Sequence, residues 1–574
     1  MARVRKTIKG KVYESALLRQ SYRDGPRVKH RTLASLTALP THAVEVLDRM
    51  LRGESFIPAA EAFTIQQSWH HGHVAAVLGT ARKLGLEQLI AREPSRQRDL
   101  VLGMIVARVL QPASKLATAR LWSSTSLGRI LGVADATDDE LYAAMDWLVE
   151  RQDKIEKKLA KRYLPEGELA LYDLSSAYFE GTHCALAKRG YSRDSRQGGL
   201  QIEFGLLTNG DGDPVSVEVF AGNTADSATL QEQVAKVRER FKVKEVVWVG
   251  DRGMITQVQI DKLDEIGGLK WITALRATAI RELAKADQIQ MSLFDKQHLA
   301  EIEVPEYPGE RLVVCYNPLM AEERRRKREE LLAATEGELA KVAKMALRGA
   351  AGQRGGLVGA AQIGERVGRV VNKYKMAKHF IRKITESSFQ YERNQASIDA
   401  EAALDGVYVL RTNVAKERLD GAAVVRAYKS LSHVERGFRH FKLTDLQVRP
   451  VYHYLDRRVK AHLLLCMLAY IVQRALEKAW APLLFVDEAP PERSDPVAPA
   501  LRSEGAHRKE QRLRTEDELL VHSFRTLLAE LSTIVKNQVI PRGADEGAAF
   551  DVVTEPNKLQ MRAFELLGIP LSSM

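Results

Sequence analysis

The stretch ELALYDLSSAYFEG, residues 168–181, carries Asp173 near the end of an apolar run that is typical of a buried strand. A second stretch, EVVWVGDRGM at residues 245–254, places Asp251 directly after another such run. A carboxylate at the end of a buried strand needs a partner. If the two strands are neighbours, the carboxylates meet at one edge of the sheet and repel each other unless cations hold them. The pattern predicts a hard-oxygen site suited to magnesium; taken singly, each Asp also fits a turn or a helix cap.

Five short apolar runs lie between about residues 167 and 276, separated by Gly-rich turns, with a helix near 227–240. Few long helical stretches accompany them, which favours an α/β fold with a mixed sheet whose first three strands form a meander. In chain order the runs are ELALYDL, QIEFGLLTN, PVSVEVF, EVVWVG and KWITALR.

Composition is that of a soluble globular protein, with 574 residues, 45% hydrophobic and 28% charged. No basic start joins an apolar run, so we expect no signal peptide. The longest apolar run, Leu463 to Val472, is well short of the ~20 residues that span a bilayer, so no membrane is expected. The three cysteines lack CxxC spacing, which favours a reducing, cytoplasmic setting.

Positive charge is concentrated at the N-terminus. The formal net charge of the chain is +12, and residues 1–31 hold ten Lys or Arg against the two acids Glu14 and Asp24. Such an arm suits a phosphate backbone, although a solvated terminus is an equally good interpretation of charge alone. Loosely alternating apolar and polar residues on both sides of the turn dipeptide Asp24-Gly25 also predict a strand pair in this arm.

A third acid stands on a predicted helix, AAVVRAYKSLSHVERGFRHFK at residues 422–442. The spacing places on one face of this helix Tyr428, Leu431, Glu435, Phe438 and Lys442. The alternative for the Glu is an ion pair at the rim of a packed helix. Gly437 within the helix costs on the order of 1 kcal/mol against Ala, which suggests close approach of another backbone or of DNA.

The ordered acids Asp173, Asp251 and Glu435 resemble those of the DDE transposases of the insertion sequence four superfamily. That superfamily is marked by a Tyr-x2-Arg-x3-Glu-x6-Lys signature, and this sequence has Tyr428, Glu435 and Lys442 at the right spacing. Leu431 stands where the Arg is expected. The phrases YDLSSAYFEG, AGNTAD, VGDRGM and RPVYHYLDRRVKAHLLLCMLAYIVQRALE also resemble the superfamily.

The resemblance implies a ribonuclease H-like core with Asp173 on the first strand and Asp251 after the fourth. Glu435 would lie on a helix that returns after a β-rich insertion at about residues 281–415. The three acids would hold two Mg²⁺ ions, which Mn²⁺ can replace. The reaction implied is nicking at the element end, a hairpin on that end, and strand transfer into target DNA.

Partners follow from the same resemblance: double-stranded DNA, both terminal inverted repeats and target, and a homodimer in the synaptic complex of a bacterial, nucleoid-associated enzyme. Tyr428 and Lys442 resemble residues that grip transposon-end phosphates, although Tyr428 also fits the core. Arg252 fits a scissile-phosphate contact or an ion pair equally well, and Arg436 or Arg439 could replace the missing signature Arg. The basic arm offers further DNA contacts in Arg3, Arg5, Lys6, Lys9 and Lys11.

Other residues have ordinary structural interpretations. Asn223 and Asp226 are predicted to cap the following helix, and Trp248 to lie in the core. The basic run Arg324–Arg328 fits a solvated helix face paired with Glu322 and Glu323 better than a DNA contact.

Seven segments are predicted along the chain. They are a basic strand-rich arm (1–60), a helical DNA-binding domain (61–164), the first part of the core (165–280), the insertion (281–415), the second part of the core with the Glu435 helix (416–486), a linker (487–512) and a helical tail (513–574).

Two other functions stay open. One is a ribonuclease H-like nuclease without strand transfer; the other is a catalytically inactive, DNA-binding derivative of a transposase. A basic scaffold protein leaves the set of acids unexplained.

Overall fold

Strands from distant parts of the chain form one mixed sheet in the computed structural model. The structure describes residues 1–574 except 57, 59, 60, 195, 197, 267, 268, 290–293, 296, 297, 492–494, 499, 543 and 571–574. The chain divides into two units, residues 1–69 with 535–554, and residues 70–534 with 555–574.

The N-terminal part begins with an antiparallel three-stranded sheet. Asp24 pairs with Arg27 across the turn at Gly25, whose φ of +61° is the left-handed conformation that glycine adopts readily. The strand pair predicted there is therefore present. The elements are β1 (Ala2–Ile8), β2 (Lys11–Asp24), β3 (Arg27–Ser35), α1 (Thr41–Leu51) and β4 (Phe63–His70).

A helical region follows, as the 3.6-residue periodicity predicts. Ser95 caps α4 by accepting a hydrogen bond from Arg98 N, and Thr137 and Glu140 form a capping box at α7. The helices are α2 (Gly72–Lys83), α3 (Leu86–Ile90), α4 (Arg96–Leu110), α5 (Lys115–Ser124), α6 (Leu127–Leu131), α7 (Asp138–Val149) and α8 (Gln152–Tyr163).

The five predicted runs are all strands of the main sheet. Strands β5, β7 and β8 form the antiparallel meander, and β9 and β10 continue the sheet in parallel from β5. The elements are β5 (Leu169–Tyr178), β6 (Lys188–Arg189), β7 (Leu200–Thr208), β8 (Pro214–Ala221), α9 (Asp226–Ala235), a π-helical turn (Lys236–Arg240), β9 (Val247–Val249), α10 (Gln257–Ile266) and β10 (Lys270–Ala274).

The insertion is largely helical, so the expectation of a β-rich insertion was wrong. Apolar residues of its longest helix, including Leu332 and Leu339, pack against Ile363 and Val367 of the next helix to form a core of their own. The elements are α11 (Ala277–Lys285), β11 (Leu299–Ile302), β12 (Arg311–Tyr316), α12 (Pro318–Ala350), α13 (Gly359–Tyr374), a 3-10 turn (Ala377–His379), β13 (Phe380–Ile384), β14 (Phe389–Arg393), α14 (Gln395–Ala402) and β15 (Val407–Thr412).

Three strands of this segment extend the main sheet beyond the five that were predicted. β15 pairs antiparallel with β10, β12 with β15, and β11 with β12. With the short strand β6, which pairs with β7, the described sheet has nine strands. Among the strands described in the insertion, β13 and β14 form a separate hairpin.

The C-terminal part departs from prediction in three respects. The predicted helix at 422–442 is divided at Ser430, the linker contains a helix, and the tail contains two strands; residues 492–494 and 499 of the linker lie outside the described residues. The elements are α15 (Gly421–Lys429), α16 (Leu431–Arg439), a π-helical turn (His440–Thr444), α17 (Asp456–Ala479), a 3-10 turn (Ala481–Leu483), α18 (Glu504–Arg512), α19 (Phe524–Ser532), β16 (Val535–Pro541), a 3-10 turn (Glu546–Ala548), β17 (Phe550–Val553) and α20 (Lys558–Leu567).

The two strands of the tail form because they pair with each other and with β4 of the N-terminal part. β16 lies between β17 and β4 in a second three-stranded sheet, with Phe63 edge-on to Phe550 at 5.9 Å and Ser68 donating to Asn537 at 2.6 Å. Alternation of apolar and polar residues in these short strands is a weak sequence signal.

Helix α17 is long and apolar enough to cross a membrane by composition, with a mean hydropathy of 1.4, but 83% of that stretch is buried inside the protein. The pair α4 and α5 passes the same test only if counted as one span, and it is bent by 87°.

Candidate active site

The register of β5 and β9 brings the two aspartates together. Parallel pairing runs from Leu169 opposite Val247 to Leu171 opposite Val249, and Asp173 and Asp251 each follow two residues later. β5 does not end near Asp173 as predicted, because it continues to Tyr178 by pairing with β7. The edge of β5 that faces β9 no longer pairs with β9 after Leu171, which leaves room beside the carboxylate of Asp173.

Backbone hydrogen bonds fix Asp251 in the turn after β9. Its Oδ1 accepts from Gly253 N at 2.9 Å and from Met254 N at 2.7 Å. Its main-chain carbonyl accepts from Thr273 Oγ1 at 3.1 Å, which ties the turn to β10. The second carboxylate oxygen remains available to a ligand.

Aromatic packing positions Glu435 on α16. Phe438 meets Phe204 of β7 edge-on at 5.4 Å, and Phe441 stacks on the same ring at 6.1 Å. A Cβ on Gly437 would lie 3.2 Å from Leu206 Cδ2, with Tyr470 also in contact. The close approach that Gly437 permits is therefore made by protein side chains, and the suggestion of a DNA or backbone contact there was wrong.

The three acids line one open cavity of about 960 Å³. Their ligand oxygens do not all lie within 4.8 Å of one another, the limit for a cluster around a single ion. Two ions ~3.5–4 Å apart, each with bonds of ~2.1 Å, span up to about 8 Å between outer ligands.

Electrostatics support cation binding at this place. Burial, followed by the negative charges of Asp251 and Glu435, raises the pKa of Asp173 to about 7. A divalent cation would relieve this repulsion, and carboxylate oxygens are the ligands that Mg²⁺ prefers. The donor set therefore fits the predicted metal.

Tyr428 lines a second cavity, of about 900 Å³, which also reaches Asp251 and Arg252. Burial, followed by the charge of Asp251, raises the pKa of Tyr428 to about 12, so the phenol stays protonated and can donate a hydrogen bond. Within the described residues no carboxylate pairs with Arg252, which is exposed. An ion pair was one of its two predicted roles, and the structure shows none.

The same cavity is lined by several cations from α11 and α12. Arg328 is neutralised by Asp405, whereas Arg281, Arg324 and Lys327 have no carboxylate partner among the described residues. The pairs predicted from Glu322 to Arg326 and from Glu323 to Lys327 are not present there; Arg326 lies 3.9 Å from Glu330 instead.

Lys442 lines the first cavity with Glu435, but its ammonium is bound by protein. The ammonium lies 2.9 Å from Asp194 Oδ1. The same oxygen forms a second ion pair with the guanidinium of Arg449, at 2.5 Å. Sequence reasoning missed Asp194 and Arg449, because both lie in loops without a strand or helix pattern.

Arg193 is a third residue of this cavity that sequence reasoning missed. It lies 2.6 Å from Glu203 and 2.5 Å from Asp226. The prediction that Asn223 or Asp226 caps the next helix was wrong, since the cap position is Ala225 and Asp226 pairs with Arg193. A Glu inside the apolar run QIEFGLLT was the available signal, because a buried carboxylate needs a partner.

The remaining candidates are dispersed. Arg439 lines the first cavity, and Arg436 is exposed but does not line it. In the N-terminal unit the arm is exposed, with Arg3 3.6 Å from Glu45 and Arg5 3.3 Å from Glu14. Lys6 lies on β1, Lys9 in the turn after it and Lys11 at the start of β2, all exposed. Trp248 is buried, as predicted.

A third group, His440, Asp445 and Glu477, does meet the 4.8 Å limit among the described residues. Hydrogen bonds account for this cluster: His440 Nδ1 lies 2.6 Å from Asp445, and Gln473 donates to Glu477 at 2.7 Å. We interpret it as packing between the π-helical turn and α17.

Comparison with known proteins identifies the class of enzyme. The family model described as "Transposase DDE domain" matches residues 166–472, more than half of the chain, so the protein belongs to the DDE transposases. A second family model, "IS1634 family transposase, N-terminal domain", matches residues 1–60. The chain is therefore a DDE transposase of an insertion sequence.

Several solved structures match the chain, and one of them is a transposase complex. The chain matches the "Mos1 transposase paired-end complex with left transposon end" at 12% identity and a TM-score of 0.14, covering 34% of this chain. It spans 64% of the length of that chain, just under two thirds. Among curated proteins none matches the sequence.

Proposed function

We propose that this transposase binds the terminal inverted repeats of its element, cleaves the element ends and joins the freed 3′-hydroxyls to target DNA. The observation that carries the proposal is the convergence of Asp173, Asp251 and Glu435 on one cavity from β5, the turn after β9 and α16. Three carboxylates so far apart in the chain have no structural need to share a cavity.

Asp173, Asp251 and Glu435 would hold two Mg²⁺ ions, or Mn²⁺ in their place. Such ions activate the attacking oxygen and stabilise the leaving oxygen of an in-line displacement. Asp173 would be one of the ligands, since burial, followed by the charges of Asp251 and Glu435, raises its pKa to about 7 and a cation would offset that repulsion. Asp251, whose Oδ1 is held by two backbone amides, would use its other carboxylate oxygen as a metal ligand.

The second cavity would guide the DNA backbone to Asp251. Arg252, Arg281, Arg324 and Lys327 bring positive charge without paired carboxylates among the described residues, and Tyr428 adds a protonated phenol. Phosphate contacts of this kind set the position of a duplex without reading its sequence. Arg436 and Arg439 on the Glu435 helix, and Lys442 once released from Asp194, are further candidates.

The larger organisation that we propose follows the resemblance. The strand order β8–β7–β5–β9–β10 supports a ribonuclease H-like core within residues 165–280 and 416–486, with the insertion at 281–415. The arm (1–60) and the helical domain (61–164) would bind the inverted repeats, with the linker (487–512) and tail (513–574) following the core. We also propose that the enzyme belongs to the insertion sequence four superfamily and acts as a homodimer in the synaptic complex. Its location would be cytoplasmic and associated with the nucleoid.

A cleavage and joining assay tests the site. Purified enzyme is incubated with labelled element-end DNA, with Mg²⁺ or with chelator, and products are resolved by size. Asp173→Asn, Asp251→Asn and Glu435→Gln should each reduce cleavage by at least about a hundredfold, as for loss of a group that stabilises developing charge, while end binding is kept. Asp261→Asn, an exposed Asp on α10, is the matched control.

Each alternative has its own outcome in the same assay. Cleaved but never joined products would indicate a nuclease, and metal-independent binding without cleavage by the unaltered enzyme would indicate an inactive derivative. Cleavage that persists in Asp251→Asn would overturn the proposed site.

A further inference from the structure

A small cavity of about 240 Å³ lies beside the helical region, and none of the three acids lines it. Its lining includes the end of α4, the start of α5 and the segment that leads into α17. The residues that matter here are Arg108, Lys115, Tyr142, Arg449, His453 and His462. Its mouth carries exposed residues, among them Gln447 and Tyr452.

Lys115 is buried in this cavity without a counter-ion. Its exposed fraction is 4%, and within the part of the chain that the structure describes it has neither an ion pair nor a hydrogen-bond partner. Lys115 is the first residue of α5. Ser114 precedes this helix as its N-cap, and the Ser114 side chain accepts a hydrogen bond from Ala117 N. The free amides at this end of a ten-residue helix add partial positive charge.

Arg108 adds a second buried cation, with an exposed fraction of 8%. Its guanidinium donates to two main-chain carbonyls, of Leu446 at 3.4 Å and of Ala113 at 3.2 Å, and to no carboxylate of the described chain. The cavity thus combines two buried cations with a helix N-terminus and lacks a described acid in its lining.

The neighbouring titratable groups respond to this positive field. Burial, followed by the charge of Arg108, lowers the pKa of Lys115 to about 7. Burial, followed by the charges of Lys115 and Arg108, lowers the pKa of His453 to about 3, and burial with the same charges depresses that of His462. Buried charge without compensation is costly, and an anion would offset it.

We propose that this cavity is a phosphate site, in which Lys115, Arg108 and the first amides of α5 bind one phosphate group. Guanidinium, ammonium and helix amides are the groups that recognise phosphate in proteins. The source of this phosphate rests on the proposed function: it is a backbone phosphate of the DNA that the enzyme processes. Arg449 supports this source, because it lines both this cavity and the one that holds the three acids.

The first experiment uses inorganic phosphate and no DNA. The unfolding temperature of the full chain is measured in phosphate and in chloride at equal ionic strength. Phosphate should raise the unfolding temperature of the unaltered protein, and Lys115→Met should abolish that rise while Lys115→Arg retains it. Lys157→Met, an exposed lysine on α8, changes the net charge equally and should keep the full response.

We expect Lys115→Met to fold, because the substitution removes a buried charge that has no partner among the described residues. Its unfolding temperature in chloride should equal or exceed that of the unaltered protein. A fall would mean that Lys115 stabilises the fold through a structural contact, which would overturn the phosphate site.

The second experiment uses element-end DNA. The slope of log affinity against log salt should decrease in magnitude by about 0.9 in Lys115→Met, as expected for one lost phosphate contact, and stay unchanged in Lys157→Met. If phosphate stabilises the protein but the slope is unchanged, the site binds free phosphate and the DNA source is overturned. If phosphate does nothing, the whole inference fails, whether or not Asp251→Asn abolishes cleavage.

Discussion

The ammonium of Lys442 lies 2.9 Å from the carboxylate of Asp194, and the two side chains are only 9% and 1% exposed. Arg449 shares the same carboxylate at 2.5 Å. Lys442 is therefore neutralised inside the protein, and a contact of its ammonium with DNA requires that it leave Asp194. One carboxylate thus joins the π-helical turn after α16 to the segment before the cis Arg449–Pro450 bond.

Asp194→Asn should destabilise the protein, because it leaves two largely buried cations without a counter-ion. Breaking a buried ion pair in this way costs about 3–5 kcal/mol. Urea denaturation followed by circular dichroism measures the free energy of unfolding. Asp211→Asn, an exposed Asp, should change it by less than about 0.5 kcal/mol. Equal stabilities of the two variants would contradict the interpretation of Asp194.

Arg193 and Glu203 should show strong energetic coupling in a double-mutant cycle. Glu203 is only 4% exposed, and burial raises its pKa to about 7 even with Arg193 beside it. Arg193→Gln should therefore be more damaging alone than with Glu203→Gln, with a coupling energy of about 1–3 kcal/mol. The exposed pair Arg196 and Glu180, at 2.7 Å, should couple by less than about 1 kcal/mol. Similar values for both cycles would show that Glu203 does not depend on Arg193.

Gly205→Ala should destabilise the central sheet. A Cβ at this position on β7 would lie 2.3 Å from the hydroxyl of Tyr172, the residue next to Asp173, so the ring or the strand must move. Overpacking of this kind costs about 1–3 kcal/mol. Gly337→Ala in α12, where a Cβ meets no atom within 4 Å, should instead stabilise by up to about 1 kcal/mol. Thermal unfolding of the pair measures the difference, and a neutral Gly205→Ala would exclude the predicted clash.

Lys115 should give the protein a pH-dependent stability. Its pKa is about 7 in the folded protein, against the 10.5 of an unperturbed lysine, so between these values the unfolded chain binds a proton that the folded protein does not. Stability should rise with pH from about 7 towards 10.5, and the destabilising contribution is complete below pH 7.

Comparison with Lys115→Met isolates this contribution, because Arg108, Arg458, His453, His462, Cys466 and Tyr142 remain unchanged around it. Denaturation in phosphate-free buffer from pH 7 to 9.5 should show the two stabilities converging as pH rises, from a gap on the order of a few kcal/mol. Parallel curves would show that the lysine stays charged in the folded protein throughout this pH range, which would contradict the lowered pKa.

The strands that carry the acids were predictable because their sequence patterns are local. Asp173 and Asp251 interrupt apolar runs, and Glu435 interrupts an otherwise apolar and aromatic helix face, so each was visible before its neighbours were known. Their convergence followed from the resemblance and from the rule that carboxylates after neighbouring strands meet at one edge.

The partners of these residues were not predictable, because they depend on contacts between distant segments. Nothing in the sequence indicates that Asp194 binds Lys442, or that Arg193 lies between Glu203 and Asp226. The insertion was misjudged for a related reason. Its longest helix looks solvated by charge, and the apolar face that includes Leu332 and Leu339 becomes evident only beside α13.

Tyr316, the last residue of β12, is the cross-strand partner of Val407, the first residue of β15. Everything between them leaves the sheet and returns to the same point. The helices and hairpin of that excursion can therefore grow, shrink or be exchanged during evolution without changing the register of the strands on which Asp173 and Asp251 depend, as long as the two ends still meet.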